Sequence, residues 1–257
     1  DAENGGKLCV DTQNPEAPLL ILNLKSNPMN SLYAIILAGG RGSRLGAEEP
    51  KQFLDLAGRP VIAWSIEAFA AVEGLAGMVL VGPEDKLARM ESIAMEYGHG
   101  LVRAIVAGGT TRQASSWNGL SALSFENDDI VLIHDAARPF IEPAAILECV
   151  METRVHGAAA VYVRATDTVA VGADGFVRAI PSRESLYYSQ TPQCFRFSFI
   201  RDAHEKARAA GVDSATDDVR LALDAGHRVK IVEGDARNMK ITSAFDLETA
   251  RFYAERL

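Results

Sequence analysis

The chain has 257 residues, 48% apolar and 23% charged, which suits one sizeable globular α/β domain. With 26 Lys plus Arg against 34 Asp plus Glu the formal net charge is −8, which argues against a broad nucleic-acid-binding face and requires any phosphate site to concentrate its cations in one cleft. No apolar run reaches the ~18 residues of a membrane span, residues 18–24 are too short and follow no basic segment, and Cys9, Cys149 and Cys194 match no zinc spacing and read as reduced cytosolic thiols.

Residues 1 to about 31 are rich in Asp, Asn, Pro and Gly and lack periodicity. They are expected to be a disordered extension, an expression scar or an over-long start, with Met29 available as a natural start. From residue 32 to 257 a single domain is expected. Residues 33–38 (YAIILA) form a short apolar run, read as a buried strand, and a Gly-rich loop follows. Residues 60–72 carry apolar positions at helical spacing behind a Pro, which is tolerated at a helix start. Strands are predicted at 77–81, 101–106, 130–134 and 158–163. Helices are predicted at 85–97, 115–123 (opening at a second Gly-rich loop) and 144–153. This alternation predicts a Rossmann-like, mostly parallel sheet with helices on both faces.

The rhythm breaks between Thr166 and Gln190. Two short β-prone runs, 167–171 and 176–180, flank Gly172-Ala173-Asp174-Gly175, whose Asp-Gly is a strong turn signal. A projecting β-hairpin arm is expected over about 165–190. A lone hairpin is marginal in water, so a partner subunit is one candidate for its packing. Helices at 197–210 and 217–225, a strand at 228–232 and a helix at 244–257, capped by Ser243, complete the pattern. Because the chain ends on that helix, no fused downstream enzyme is expected.

Chemistry concentrates first at Leu37-Ala38-Gly39-Gly40-Arg41-Gly42-Ser43-Arg44-Leu45-Gly46, followed by Pro50-Lys51-Gln52. Glycines directly after a buried strand let the backbone approach a ligand closely and adopt positive φ, and loop N–H groups can then cradle phosphate oxygens. Arg44 and Lys51 add cations. The P-loop pattern G-x-x-x-x-G-K-[ST] is absent, and so is the G-x-G-x-x-G dinucleotide spacing with its acidic partner. The wrong spacing argues against an NAD-dependent reductase. Gly108-Gly109 opens a second strand-to-helix junction, followed by Thr110, Thr111 and Ser115. It reads either as a helix N-terminus accepting polar ligand atoms or as a Gly turn with a Thr N-cap. Asp135 ends a strand where α/β ligands bind and has the chemistry to hold Mg²⁺ against triphosphate oxygens. Arg138 reads as a phosphate clamp or as a structural bridge to Asp135. His134 reads as a satisfied strand residue outside the site.

The run from Ala34 to Lys51 resembles the G-G-x-G-x-R-x-G…P-K signature of sugar-phosphate nucleotidyltransferases. Five further segments follow in order: Gly108 to Ser115, His134-Asp135-Ala136-Ala137-Arg138-Pro139, Gln190-Thr191-Pro192-Gln193, Thr216-Asp217-Asp218, and Asn238-Met239-Lys240-Ile241-Thr242. Together, over about 33–257, they resemble the 2-C-methyl-D-erythritol 4-phosphate cytidylyltransferase family and its sister, the ribitol-5-phosphate cytidylyltransferases. The resemblance implies a GT-A-like nucleotidyltransferase fold, CTP and a polyol phosphate as substrates, Mg²⁺, a homodimer joined by the arm, a cytoplasmic setting, and no nucleic acid or membrane partner. It implies catalytic roles for Arg44, Lys51 and Lys240. Nucleotide contacts fall to Ala38, Gly39, Gly40, Gly42, Gly109, Thr110, Ser115 and Ala136, and metal and substrate contacts to Asp135. Thr168 and Arg183 are implied to bind the acceptor's phosphate from the neighbouring subunit. Thr110 replaces a usual acidic residue. Ser182, with Val169 and Ala170, departs from the methylerythritol branch and leans toward ribitol phosphate, whereas Thr216-Asp217-Asp218 leans back. A nucleotide-binding protein without turnover is the alternative from another class; Lys51, Asp135 and Lys240 argue against it.

Overall fold

The computed structural model describes residues 31–40 and 49–257, and the backbone of Cys9–Val10 and Leu20–Ile21, which pair as a two-residue antiparallel ladder. That ladder falls within the segment read as an extension. Met29, Gly42 and Arg44 lie outside the described residues.

A seven-stranded sheet organises the chain. Its strands are β1 (Leu32–Leu37), β2 (Leu75–Gly82), β3 (Val102–Ala107), β4 (Ile130–Asp135), β5 (Ala158–Arg164), β6 (Tyr187–Arg196) and β7 (Lys230–Glu233), in the spatial order β7-β5-β6-β4-β1-β2-β3. β1 runs parallel to β2 and β4, β2 to β3, and β5 to β7; β6 alone is antiparallel, to both of its neighbours. Among the described residues seven α-helices surround the sheet: α1 (Val61–Ala70), α2 (Leu87–Tyr97), α3 (Arg112–Leu120), α4 (Pro143–His156), α5 (Phe197–Ala209), α6 (Asp218–Asp224) and α7 (Ala244–Ala254).

Both faces of the sheet are buried, which explains why its central strands read as continuous apolar runs. Ala34, Ile36, Leu80 and Leu132 pack with Ile62, Phe69, Met90 and Cys149 from α1, α2 and α4. Ile35, Val81, Val131 and Ile133 pack on the other face with Leu120, Ile200 and Leu221 from α3, α5 and α6. The period-2 alternation of strand side chains separates the two cores. A third cluster, Leu56, Val61, Phe140, Ile241 and Leu247, seats α7. There Ser243 caps the helix in a reciprocal box with Asp246, as its position in the sequence predicts. Cys149 and Cys194 are buried free thiols.

Two expectations need correction. β6 is absent from the sequence reading because Pro192 sits mid-run, and Pro argues against a central strand. In the structure the ladder with β5 breaks between Ser189 and Gln193, so the missing Pro N–H falls where no ladder bond is made, and the Thr191–Pro192 peptide is cis. The arm is a hairpin, but its paired strands are Val171–Ala173 and Phe176–Ala179, so most of the first predicted run lies outside the ladder. Asp174 and Gly175 both have positive φ, 54° and 80°, the requirement of a tight hairpin turn.

Candidate active site

Four parallel strands end together. Leu37 pairs in register with Val81 and Asp135, and Gly82 with Ala107. The loops after β1, β2 and β3, together with Ala137 after β4, wall a cleft of about 1530 Å³ at the carboxyl edge of the sheet. Typical small-molecule pockets span roughly 300–1,000 Å³, so there is room for two substrates side by side. In open α/β sheets this edge is where ligands bind.

The two Gly loops are shaped by close approach and not by positive φ, since none of Gly39, Gly40, Gly108 and Gly109 has a left-handed backbone. A Cβ at Gly109 would lie 2.4 Å from the Ala114 Cβ, one at Gly108 3.0 Å from Ser115 Oγ, and one at Gly39 3.4 Å from the same oxygen. Ser115 Oγ accepts from the Gly109 N–H (3.1 Å) and donates to the Thr111 carbonyl (2.9 Å). Thr111 caps α3 by accepting from Ala114 N–H. The capping reading of this junction and its place in the cleft are therefore both true. Ala38, Gly39, Gly40, Gly109, Thr110 and Ser115 all line the cleft. Ala136 does not: it is fully buried, its N–H on the Leu37 carbonyl and its carbonyl on Ser65 Oγ, and Ala137 lines the wall instead.

Asp135 lies on the cleft floor, 8% exposed. Its Oδ1 accepts from Arg112 Nε at 3.3 Å and its Oδ2 from Lys240 Nζ at 2.6 Å. Burial alone would raise the carboxyl, but Arg112 and Lys240 outweigh it and hold Asp135 ionised far below the usual carboxylate range. Lys51 also lines the cleft and donates to the Ile241 carbonyl at 2.7 Å. Residues 190 apart in sequence thus place the two lysines against one short segment, Lys240–Ile241.

That segment is tied down from below. Ile241 N–H donates to the Ala137 carbonyl, and the buried Asn238 amide donates to Gln190 Oε1 (3.1 Å) and the Thr191 carbonyl (2.9 Å). Asp135 pairs with Arg112 and Lys240 and not with Arg138, and Arg138 does not line the cleft. Its guanidinium donates to the Asn238 carbonyl (2.8 Å) and the Ser189 carbonyl (3.0 Å), joining the Lys240 segment to β6. His134 is the satisfied strand residue expected. Burial lowers it to about 4, so it is neutral at pH 7. The network assigns Nε2–H to the Arg138 carbonyl (3.1 Å) and Nδ1 as acceptor from Thr191 Oγ1 (2.9 Å), which in turn accepts from the Asp135 N–H (3.1 Å). The pair therefore orients Asp135 through its backbone.

Arg112 and Asp218 are missing from the sequence-derived site. Arg112 donates from Nη1 to Asp218 Oδ2 at 2.6 Å while meeting Asp135 with Nε. A signal was present, because Arg112 is the first residue of α3, where a cation opposes the helix dipole and implies an acidic partner. Thr168 and Arg183 are exposed on and beside the arm, Arg183 donating to the Thr166 carbonyl, and neither lines this chain's cleft. Both arm strands are exposed throughout, with Phe176 70% and Val177 67% exposed. Among the described residues no helix is long and apolar enough to cross a membrane.

Comparison with known proteins agrees with this geometry. The model of the family described as 2-C-methyl-D-erythritol 4-phosphate cytidylyltransferase matches residues 32–256. A protein of Geobacter metallireducens bearing that description is 41% identical over 231 residues, 88% of this chain and 99% of that one. The "Bifunctional enzyme IspD/IspF" of Rhodopseudomonas palustris (strain HaA2) is 47% identical over 216 residues, 83% of this chain and 53% of that one, so the chain spans about half the length of such relatives. Among solved structures, the 4-diphosphocytidyl-2C-methyl-D-erythritol synthase of Anaerococcus prevotii superposes with a TM-score of 0.77 at 31% identity, covering 88% of this chain and 99% of that one.

Proposed function

The chain belongs to the 2-C-methyl-D-erythritol 4-phosphate cytidylyltransferase family, and on that premise we propose that it transfers CMP from CTP to 2-C-methyl-D-erythritol 4-phosphate. The products are 4-diphosphocytidyl-2-C-methyl-D-erythritol and pyrophosphate. The observation that carries this reading is the convergence of Lys51, Lys240 and Asp135 on one cleft at the carboxyl ends of β1 and β4. The acceptor follows the names of the relatives, which outweigh the lean of Ser182 toward ribitol 5-phosphate.

In the proposed reaction an oxygen of the acceptor's phosphate forms a bond to the α-phosphorus of CTP. The bond from that phosphorus to the bridging oxygen of the β-phosphate breaks in line, and pyrophosphate leaves with the electron pair. The nucleophile is already an anion at neutral pH, so the chain need supply no strong base. Its contribution is positioning and neutralisation of charge. Ala38, Gly39, Gly40, Gly42, Gly109, Thr110 and Ser115 would hold base, ribose and phosphate edges. Arg44 and Lys51 would hold the triphosphate. Lys51 and Lys240 would face the α-phosphate from two sides, and Lys240 would exchange Asp135 for a phosphate oxygen as the substrate arrives.

Mg²⁺ fits the residues present. Glu84, Asp85 and Asp135 line the cleft, but among the described residues no three His, Cys, Asp or Glu side chains converge, so a cation at Asp135 would draw its other ligands largely from substrate and water. Mg²⁺ characteristically binds in this way, through one or two carboxylates and phosphate oxygens. Bound there by Asp135, it would neutralise triphosphate charge.

The acceptor end would be completed by a second copy. Thr168 and Arg183 do not line the cleft of their own chain, and the exposed apolar Phe176, Val177 and Ile180 support a homodimer joined through the arm. Two buried free thiols support a reducing, cytoplasmic setting.

The test is pyrophosphate release with CTP and Mg²⁺, run in parallel with 2-C-methyl-D-erythritol 4-phosphate and ribitol 5-phosphate. Turnover with the first is expected. Turnover with ribitol 5-phosphate alone moves the acceptor to the sister family, and silence with both removes the proposed transfer.

A further inference from the structure

Asp218 is fully buried at the first turn of α6, so no ligand in the cleft touches it. It is nevertheless the most heavily engaged carboxylate near the site. Oδ1 accepts from Ser116 Oγ (2.7 Å) and His204 Nε2 (2.9 Å), Oδ2 accepts from Arg112 Nη1 (2.6 Å), and its N–H donates to Gln193 Oε1 (2.9 Å). Gln193 pairs with Ile133 across β6 and β4, so Asp218 is fixed relative to the strand that ends in Asp135.

Arg112 is therefore shared. A guanidinium grips both oxygens of one carboxylate when two of its N–H groups point the same way, as Nε and Nη2 do. Here Nη1 is drawn to Asp218, only Nε meets Asp135, and the buried Nη2 has no partner among the described residues. One oxygen of Asp135 is left to the half-exposed Lys240, whose side chain can move away.

We propose that Asp218 is a positioning residue: by holding Arg112 through Nη1, it prevents Arg112 from closing on both oxygens of Asp135 and keeps Oδ2 available to Lys240 and to a divalent cation arriving with CTP. This rests on the functional reading above. In Asp218→Asn the guanidinium loses the charge that draws it away, seats Nη2 as well as Nε on Asp135, and covers the oxygen the cation needs.

The test is calorimetric CTP binding in EDTA and in saturating Mn²⁺, the Mn²⁺ gain being the ratio of the two affinities. For Asp218→Asn the gain is expected to fall about tenfold, as loss of an outer partner of a metal ligand typically does, with the EDTA affinity within about twofold of wild type. A general distortion of the cleft would lower both. In Asp218→Asn/Arg112→Gln the over-closing cation is gone, so its Mn²⁺ gain should equal that of Arg112→Gln alone. This second comparison decides the matter if the single Asp218→Asn protein does not fold. An unchanged gain in folded Asp218→Asn, or a double variant as far below Arg112→Gln as Asp218→Asn is below wild type, overturns the proposal. A wild-type protein that does not bind CTP overturns the functional reading and this inference together; wild-type binding with a Mn²⁺ gain that Asp218→Asn leaves unmoved overturns the inference alone.

Discussion

Replacing Lys240 by Met separates its catalytic role from its structural one. Met keeps the unbranched stem and removes the charge. The ion pair lost, Lys240 Nζ to Asp135 Oδ2 at 2.6 Å, has side chains 37% and 11% exposed. With the lysine this open to solvent, the pair contributes no more than about 1 kcal/mol to stability, and Asp135 keeps Arg112 as a counter-charge. For a domain of this size that corresponds to a fall in Tm of at most about 4 °C. At the reacting phosphorus the same ammonium would be a preorganised charge, whose removal costs about 10²–10³-fold in kcat, or about 3–4 kcal/mol. Initial rates of pyrophosphate release with CTP and 2-C-methyl-D-erythritol 4-phosphate, beside a calorimetric melt, measure both. A kcat within tenfold of wild type would refute the placement of Lys240 at the phosphorus. So would a melting loss large enough to account for the missing activity by unfolding.

Lys51→Ala should lower kcat by about 10²-fold or more, because it removes a cleft cation together with the tie to the Ile241 carbonyl; near-normal turnover would remove that role. Stability should fall in acid. Burial alone would raise the Asp218 carboxyl, but Arg112, His204 and Ser116 outweigh it and bring it from the ordinary 3.8 to about 2. A carboxyl lowered on folding contributes stability that is present above pH ~4 and lost as pH falls toward ~2, here about 2 kcal/mol, and Asp135 acts in the same direction. Urea denaturation from pH 6 to about 2 should therefore show a shallower acid limb for Asp218→Asn than for wild type, and parallel limbs would contradict the assignment. Phe176→Asp, at a position 70% exposed on the arm, should shift the protein toward monomer in sedimentation and depress turnover with it; a fully active monomer would show that Thr168 and Arg183 of a second copy are not needed.

Much of this architecture is legible in the amino-acid sequence. Buried runs such as YAIILA, helical spacing behind Pro60, the Asp174-Gly175 turn and the Ser243 cap are local signals, decided by residues a few positions apart. The family resemblance carried by the ordered motifs also put Lys51, Asp135 and Lys240 together, and all three line one cleft; of the three only Asp135 ends a strand, and Lys240 by itself reads as a solvated charge.

What the linear pattern could not decide were the pairings. β6 was hidden by Pro192, which is tolerated only because its ladder breaks at that point. Arg138 spends its guanidinium on two carbonyls, and Ala136 turns inward while Ala137 faces the cleft, outcomes set by how the loop after β4 packs on β1, α1 and the Lys240 segment. Arg112 and Asp218 are 106 residues apart, and their ion pair exists only because α3 and α6 share one face of the sheet. Most of the secondary structure follows from local sequence, because hydrophobic period and turn chemistry act over a few residues. Which charge is shared with which, and so how the Asp135 carboxylate is presented, depends on contacts that only sheet order and register bring together.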